Sequence, residues 1–137
     1  MAEVIIKRKL SFSASHRLHS KHLSDAENLN IYGKCNNFHG HGHNYYATIA
    51  LKGGVDQKTG MVYNLSDVKK VMEEVITGQL DHKNLDLDVD YFKDNPSTAE
   101  NIAIVIWDLI KETPIGKYLY SVELIETDNN SVVYMGE

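Results

Sequence analysis

Residues 39–51 hold two patterns in a single phase. His39, His41 and His43 stand at alternate positions, and the alternation continues without a break into Tyr45, Ala47, Ile49 and Leu51. Period two belongs to a β-strand, which places all of these side chains on one face. The apolar half of that face has to be covered, so the chain must build a sheet with something packed against it. The imidazoles then enter the margin of the core, where a polar ring needs a partner. Gly40 and Gly42 leave the opposite face bare and permit close approach by a ligand or another backbone.

A second alternating run supplies the strand's neighbour. Val4, Ile6, Leu10, Phe12 and Ala14 share a phase with Arg8, and His16 extends it, while Lys7, Lys9, Ser11 and Ser13 occupy the other. Residues 18–38 are polar, lack a period and are rich in turn formers, so a long loop is expected there; loops of that length usually line a site. The strand over 39–52 ends at Gly53-Gly54, a turn follows at Asp56–Gly60, and Met61–Leu65 is a candidate for a short third strand. Leu65, Val68, Val71, Met72, Val75 and Ile76 have helical spacing, with Ser66 as expected N-cap and Gly78 as expected C-cap. After a polar loop over 81–95, Pro96 and a capping box at Ser97-Thr98-Ala99-Glu100 announce a second helix carrying Ile102, Ile106, Leu109 and Ile110. Pro114 and Gly116 stop it. Strands are expected over 118–127 and 131–134, joined by a turn at Asp128-Asn129-Asn130. The order ββααββ predicts one α+β domain over residues 1–137, with an antiparallel sheet carrying both helices on one face.

Composition narrows the function classes. A formal net charge of -5 disfavours nucleic acid and anionic membranes as partners. No apolar run reaches membrane-spanning length, and the N-terminus lacks a basic start followed by an apolar stretch, so a cytoplasmic protein is expected. The single cysteine, Cys35, cannot form an internal disulfide. Histidine is the unusual component, with seven residues, six of them at positions 16, 19, 22, 39, 41 and 43.

Four groups of residues can carry chemistry. The alternating histidines with His16 in phase suit a metal centre, since neutral imidazole is the commonest zinc ligand; spacing does not choose which of them bind. The plainer alternative is a polar strand entry whose rings find backbone partners. Cys35 lies in the polar segment beside Lys34, whose charge favours a thiolate able to remove a proton; the alternative is a small buried hydrophobe. Asp81-His82 is a potential carboxylate-oriented imidazole, or else a solvated pair. Glu126 follows Tyr120, Val122 and Leu124 in the inward phase of its strand, so its carboxylate requires donors, either adjacent ring N–H groups of a bound heterocycle or a Lys or Arg.

Taken together, Ser13–Leu18, Gly33–Asn37, Gly40–Tyr45, Leu80–Leu85 and Glu126–Asn130 resemble the 6-pyruvoyl-tetrahydropterin synthase family over nearly the whole chain. The resemblance implies a tunnelling fold whose subunits join their sheets into barrels, usually as a hexamer of two trimers with active sites between subunits. It implies His16, His41 and His43 as zinc ligands, Cys35 as general base, Asp81 and His82 as a proton relay, Glu126 as the pterin anchor and Thr98 near the pterin. The implied reaction converts 7,8-dihydroneopterin triphosphate to 6-pyruvoyl-tetrahydropterin plus triphosphate, with Mg2+ also required. Two positions depart from the pattern: His39, where the family does not call for histidine, and Ala99, where some members carry a second threonine. Cys35, His39 and His41 also match the Cys-x-x-x-His-Gly-His spacing of the 6-carboxy-tetrahydropterin synthase branch. That branch, and a non-catalytic zinc- or pterin-binding protein, are the alternatives.

Overall fold

The two long alternating runs become the centre of the sheet. In a computed structural model describing residues 2–137, β1 (Glu3–His16) and β2 (His41–Gly54) pair antiparallel along their full length, from Glu3 opposite Gly54 to His16 opposite His41. Beside β2 lies β4 (Leu119–Thr127), and beside that β5 (Asn130–Tyr134), both antiparallel to their neighbours. On the other side, the two-residue β3 (Lys83–Asn84) runs parallel to β1 at Ala14 and Ser15. The order across the sheet is β3-β1-β2-β4-β5.

One face of the sheet is covered by helices, as the alternation demands. Phe12, Ala14, Tyr45, Ala47, Ile49, Leu51, Val122 and Leu124 are buried there. Against them pack α2 (Leu65–Met72), which continues through a π-helical turn (Glu73–Thr77) into α3 (Gly78–Leu80), and α5 (Ala99–Lys111). Val68, Met72, Ile76 and Leu80 are all fully buried. Residues four apart drift by about 40° per step around a regular α-helix. The π turn is wound more loosely and takes up that drift, which keeps the four side chains on one line. Ile102, Ile106 and Ile110 form the corresponding stripe on α5. Among the described residues, no helix is long and apolar enough to cross a membrane.

The expected α+β architecture is present, with differences in the connections. Residues 18–38 are not one loop: they contain α1 (Asp25–Tyr32) and a 3-10 turn over Gly33–Asn36. Ser24 Oγ accepts from Glu27 N at 3.1 Å and the Glu27 carboxylate accepts from Ser24 N at 2.9 Å, a capping box independent of apolar spacing. The helix buries only Asn28, whose amide bonds Ser20, Leu23 and Ser24, while Leu29 and Ile31 stay exposed. That arrangement erases the periodicity by which helices are recognised.

Other boundaries also differ. Residues 61–64 form no strand; Asn64 caps α2 by accepting from Ser66 N, so Ser66 lies inside the helix, as does Gly78. The segment 81–95 contains β3, α4 (Leu85–Asp88) and a 3-10 turn over Asp90–Lys93. At α5 the cap is Thr98, which accepts from Asn101 N, so Ser97 and Glu100 do not form the expected capping box. β2 begins at His41 rather than His39 and takes in Gly53-Gly54, and β5 starts at Asn130.

Gly116 returns the chain from α5 to β4 so tightly that a Cβ there would overlap the Lys111 carbonyl oxygen. Gly116→Ala is expected to destabilise the fold by about 2–4 kcal/mol, read as a lowered midpoint in urea unfolding with an unchanged slope.

Candidate active site

The paired ends of β1 and β2 bring three imidazoles together. The register sets His16 opposite His41, and alternation returns His43 to the same face. Their ligating nitrogens all lie within 4.8 Å of one another, and His16 Nε2 is 3.1 Å from His41 Nε2. A tetrahedron of zinc–nitrogen bonds has an edge of about 3.3 Å, so this spacing fits a bound ion. The cluster is graded in burial: His16 is fully enclosed, while His41 and His43 are half-buried.

His39 is not in the cluster. Gly40 adopts a φ of +77°, and a Cβ on it would stand 2.8 Å from the His16 carbonyl oxygen. The chain therefore turns sharply before β2 begins, which removes His39 from the face expected to hold all three alternating histidines. Its ring is exposed, edge-on to Phe38, and lines an open groove of 530 Å³ with Arg17, His19 and Pro96.

Local bonding prepares the rings to act as ligands. His16 Nδ1 lies 2.7 Å from the Ser97 carbonyl oxygen, which can only accept, so Nδ1 carries the proton and Nε2 presents its lone pair to the cluster. Burial pulls the His16 pKa down, His41 and His43 add to this, and the Ser97 contact opposes it. Burial and then His43 also lower His41. Both shifts favour the neutral, metal-binding form. The Tyr45 hydroxyl, 3.5 Å from His16 Nε2, closes the inner wall, and burial pushes its pKa up so that it keeps its proton.

Asp81 and His82 form a bonded pair, with Asp81 Oδ2 2.7 Å from His82 Nδ1. The same carboxylate accepts from Ser13 N at 2.8 Å, and His82 N donates to the Ser13 carbonyl at 2.6 Å. His82 holds a positive φ of 60° to do so. The Ser13 N–H, followed by His82, holds the Asp81 carboxyl below its ordinary value. The His82 ring remains 84% exposed, which leaves its outer nitrogen free to meet another group.

The remaining predicted residues come from three other parts of the fold. Cys35 is half-buried in the 3-10 turn, and its carbonyl accepts from Leu18 N at 2.8 Å. Next to it, the Asn36 amide bridges the Leu18 carbonyl and His19 Nδ1. Among the described residues, no hydrogen bond joins Cys35 to Asp81 or His82. Glu126 is half-buried and forms no ion pair among the described residues, and its charge is felt by His16, His41 and Tyr45. Thr98 caps α5 directly after Ser97. Ser97, Tyr45, Asp86 and Asn36 escape a sequence reading: Ser97 looks like a cap, Tyr45 like core, and Asp86 and Asn36 like solvated loop residues.

Comparison with known proteins agrees with this geometry. The profile of the family "6-pyruvoyl tetrahydropterin synthase" matches residues 5–137. The chain is 60% identical over 133 residues to 6-pyruvoyl tetrahydrobiopterin synthase of Homo sapiens, covering 96% of this chain and 91% of that one. It is 53% identical over 132 residues to the synthase of Drosophila melanogaster, covering 96% and 79%. The solved structure of Caenorhabditis elegans 6-pyruvoyl tetrahydropterin synthase superimposes with a TM-score of 0.96 at 48% identity, covering 100% of this chain and 98% of that one. With the family profile matching residues 5–137 and relatives up to 60% identical over nearly the full length, the chain belongs to the 6-pyruvoyl tetrahydropterin synthase family of enzymes.

Proposed function

We propose that the chain converts 7,8-dihydroneopterin triphosphate to 6-pyruvoyl-tetrahydropterin and triphosphate, as a zinc-dependent lyase of tetrahydrobiopterin biosynthesis in the cytoplasm. The observation that carries this reading is the cluster of His16, His41 and His43, three imidazoles at the end of the core face. A zinc ion held by His16, His41 and His43 would supply Lewis acidity toward the substrate side chain. Cys35 acts as the general base that removes a proton from carbon in the substrate side chain. His82, oriented by Asp81, carries protons to and from the side chain through its exposed nitrogen. Glu126 accepts from adjacent N–H groups of the pterin ring, and Thr98 flanks that ring. Hydrogen lost from the side chain is regained by the ring, so departure of triphosphate needs no external oxidant. Mg2+ accompanies the triphosphate.

The exposed His82 ring supports an assembly in which neighbouring subunits complete each site. β1 is covered by β3 only at Ala14 and Ser15, and β5 forms the other edge of the sheet. Joining these two edges between copies closes sheets into a barrel, in keeping with a hexamer of two trimers.

Incubating the protein with 7,8-dihydroneopterin triphosphate and Mg2+ should release triphosphate and the pyruvoyl product, with loss of turnover on zinc removal; a carboxy product would assign the chain to the other branch. Cys35→Ala should keep zinc and lose turnover by about 100-fold or more, and near-normal turnover would remove Cys35 from the base role. Metal analysis should find zinc lost from His41→Ala and retained in His39→Ala. Because His16 and His41 are held below the ordinary imidazole value, the unfolded chain binds more protons than the folded one as pH falls through about 6.5. Metal-free protein should therefore lose thermal stability between pH 7 and 5, and a flat melting temperature across that range would contradict the shifts.

A further inference from the structure

Asp86 sits in α4 with both carboxylate oxygens engaged. Oδ1 accepts from the Ser97 hydroxyl at 2.6 Å, and Oδ2 accepts from the backbone N–H of Arg17 at 2.6 Å. Each partner leads to His16. Arg17 is the next residue along the chain, and the Ser97 carbonyl is the acceptor for His16 Nδ1. Ser97 and His16 are both fully buried, so neither can exchange its partner for bulk water. The carboxylate thus fixes the ring from two directions, through the backbone that carries it and through the carbonyl that orients it.

We propose that Asp86 is a positioning residue for the metal-binding cluster, holding His16 in the tautomer and orientation that direct Nε2 toward His41 and His43. The inference rests on the metal-binding part of the proposed function. Carboxylate chemistry is specifically suited to the position, because a backbone N–H and a hydroxyl both donate to it and a carboxylate offers only acceptors. An asparagine of the same shape could still accept from Arg17 N, but its NH2 would face Ser97 Oγ, which would have to become the acceptor, and both charge-assisted bonds would be lost. Groups that orient metal-ligating histidines in this way typically change metal affinity by about 10–100-fold when removed.

The test compares Asp86→Asn and Ser97→Ala with Asp88→Asn. Asp88 lies on the same short helix, and its carboxylate accepts from Asn84 N without reaching His16. Zinc affinity, measured by competition with a chromophoric chelator well below every melting temperature, should fall about 10–100-fold in Asp86→Asn. It should fall in Ser97→Ala as well and stay unchanged in Asp88→Asn. The double variant Asp86→Asn/Ser97→Ala should lose less than the two single losses combined, as expected for one chain of contacts. The visible bands of the Co2+-substituted protein should shift in Asp86→Asn. In metal-free protein, the ¹⁵N shifts of His16 should report a single Nδ1–H tautomer in the parent chain and a mixture in Asp86→Asn.

Wild-type zinc affinity with unshifted cobalt bands in Asp86→Asn would overturn the positioning role and leave the metal reading intact. A parent chain that binds neither zinc nor Co2+ would overturn both. An equal loss in Asp88→Asn would also overturn the proposal, by reducing the effect to general weakening of α4. If Asp86→Asn does not fold, Ser97→Ala carries the same comparison, because it removes the hydroxyl link and keeps the carbonyl.

Discussion

The register between β1 and β2 governs the rest of the molecule. Placing His16 opposite His41 makes the apolar faces of the two strands coincide, so Phe12, Ala14, Tyr45 and Ala47 meet the helices while the imidazoles collect at the end of the same face. A slip of one residue would turn Tyr45, Ala47, Ile49 and Leu51 toward the uncovered side and disperse the cluster at the same time. Core and site are therefore specified by the same pairing, and stabilising one preserves the other.

A second constraint acts along the outer edge of β1. Two residues of parallel ladder make a weak attachment, yet the segment from Asp81 to Asp86 is fastened at both ends of it. The Asp81 carboxylate takes the Ser13 N–H on one side of the ladder, and the Asp86 carboxylate takes the Arg17 N–H on the other. His16 lies between those two anchor points. The proposed proton relay and the buried histidine consequently share one frame, although among the described residues no side-chain hydrogen bond joins them.

Much of this was legible in the sequence, for a physical reason. Long strands with one buried face repeat their signal over many residues, so β1, β2 and β4 and most of their inward phases follow from alternation, as do Val68, Met72, Ile76, Ile102, Ile106 and Ile110 in the helical core from helical spacing, whereas Val4 and Leu65, each at the start of its element, stay exposed. The family resemblance likewise draws on motifs spread along the chain. Single-residue events were less legible. The turn at Gly40 that excludes His39 depends on a positive φ and a carbonyl lying close by, neither of which alternation encodes. The capping box at Ser24 and Glu27 was present, but a helix burying only Asn28 offers no apolar stripe to extend it. Asp86 and Ser97 each resemble ordinary loop or capping residues until the fold sets them beside His16.

The π turn at Glu73–Thr77 bears on how this domain tolerates change in length. Because it lets Ile76 and Leu80 stay in line with Val68 and Met72, it acts as a phase corrector within the helix. Removing one residue from it would restore a regular α-helix in which Val68 and Leu80, then about eleven residues apart, face within about 20° of each other. Leu80 would stay on the core side, and Asp81, which follows it directly, would keep its bearing toward Ser13. The turn is thus the point at which this helix can lose a residue without turning its far end, and the edge of the site with it, away from the sheet.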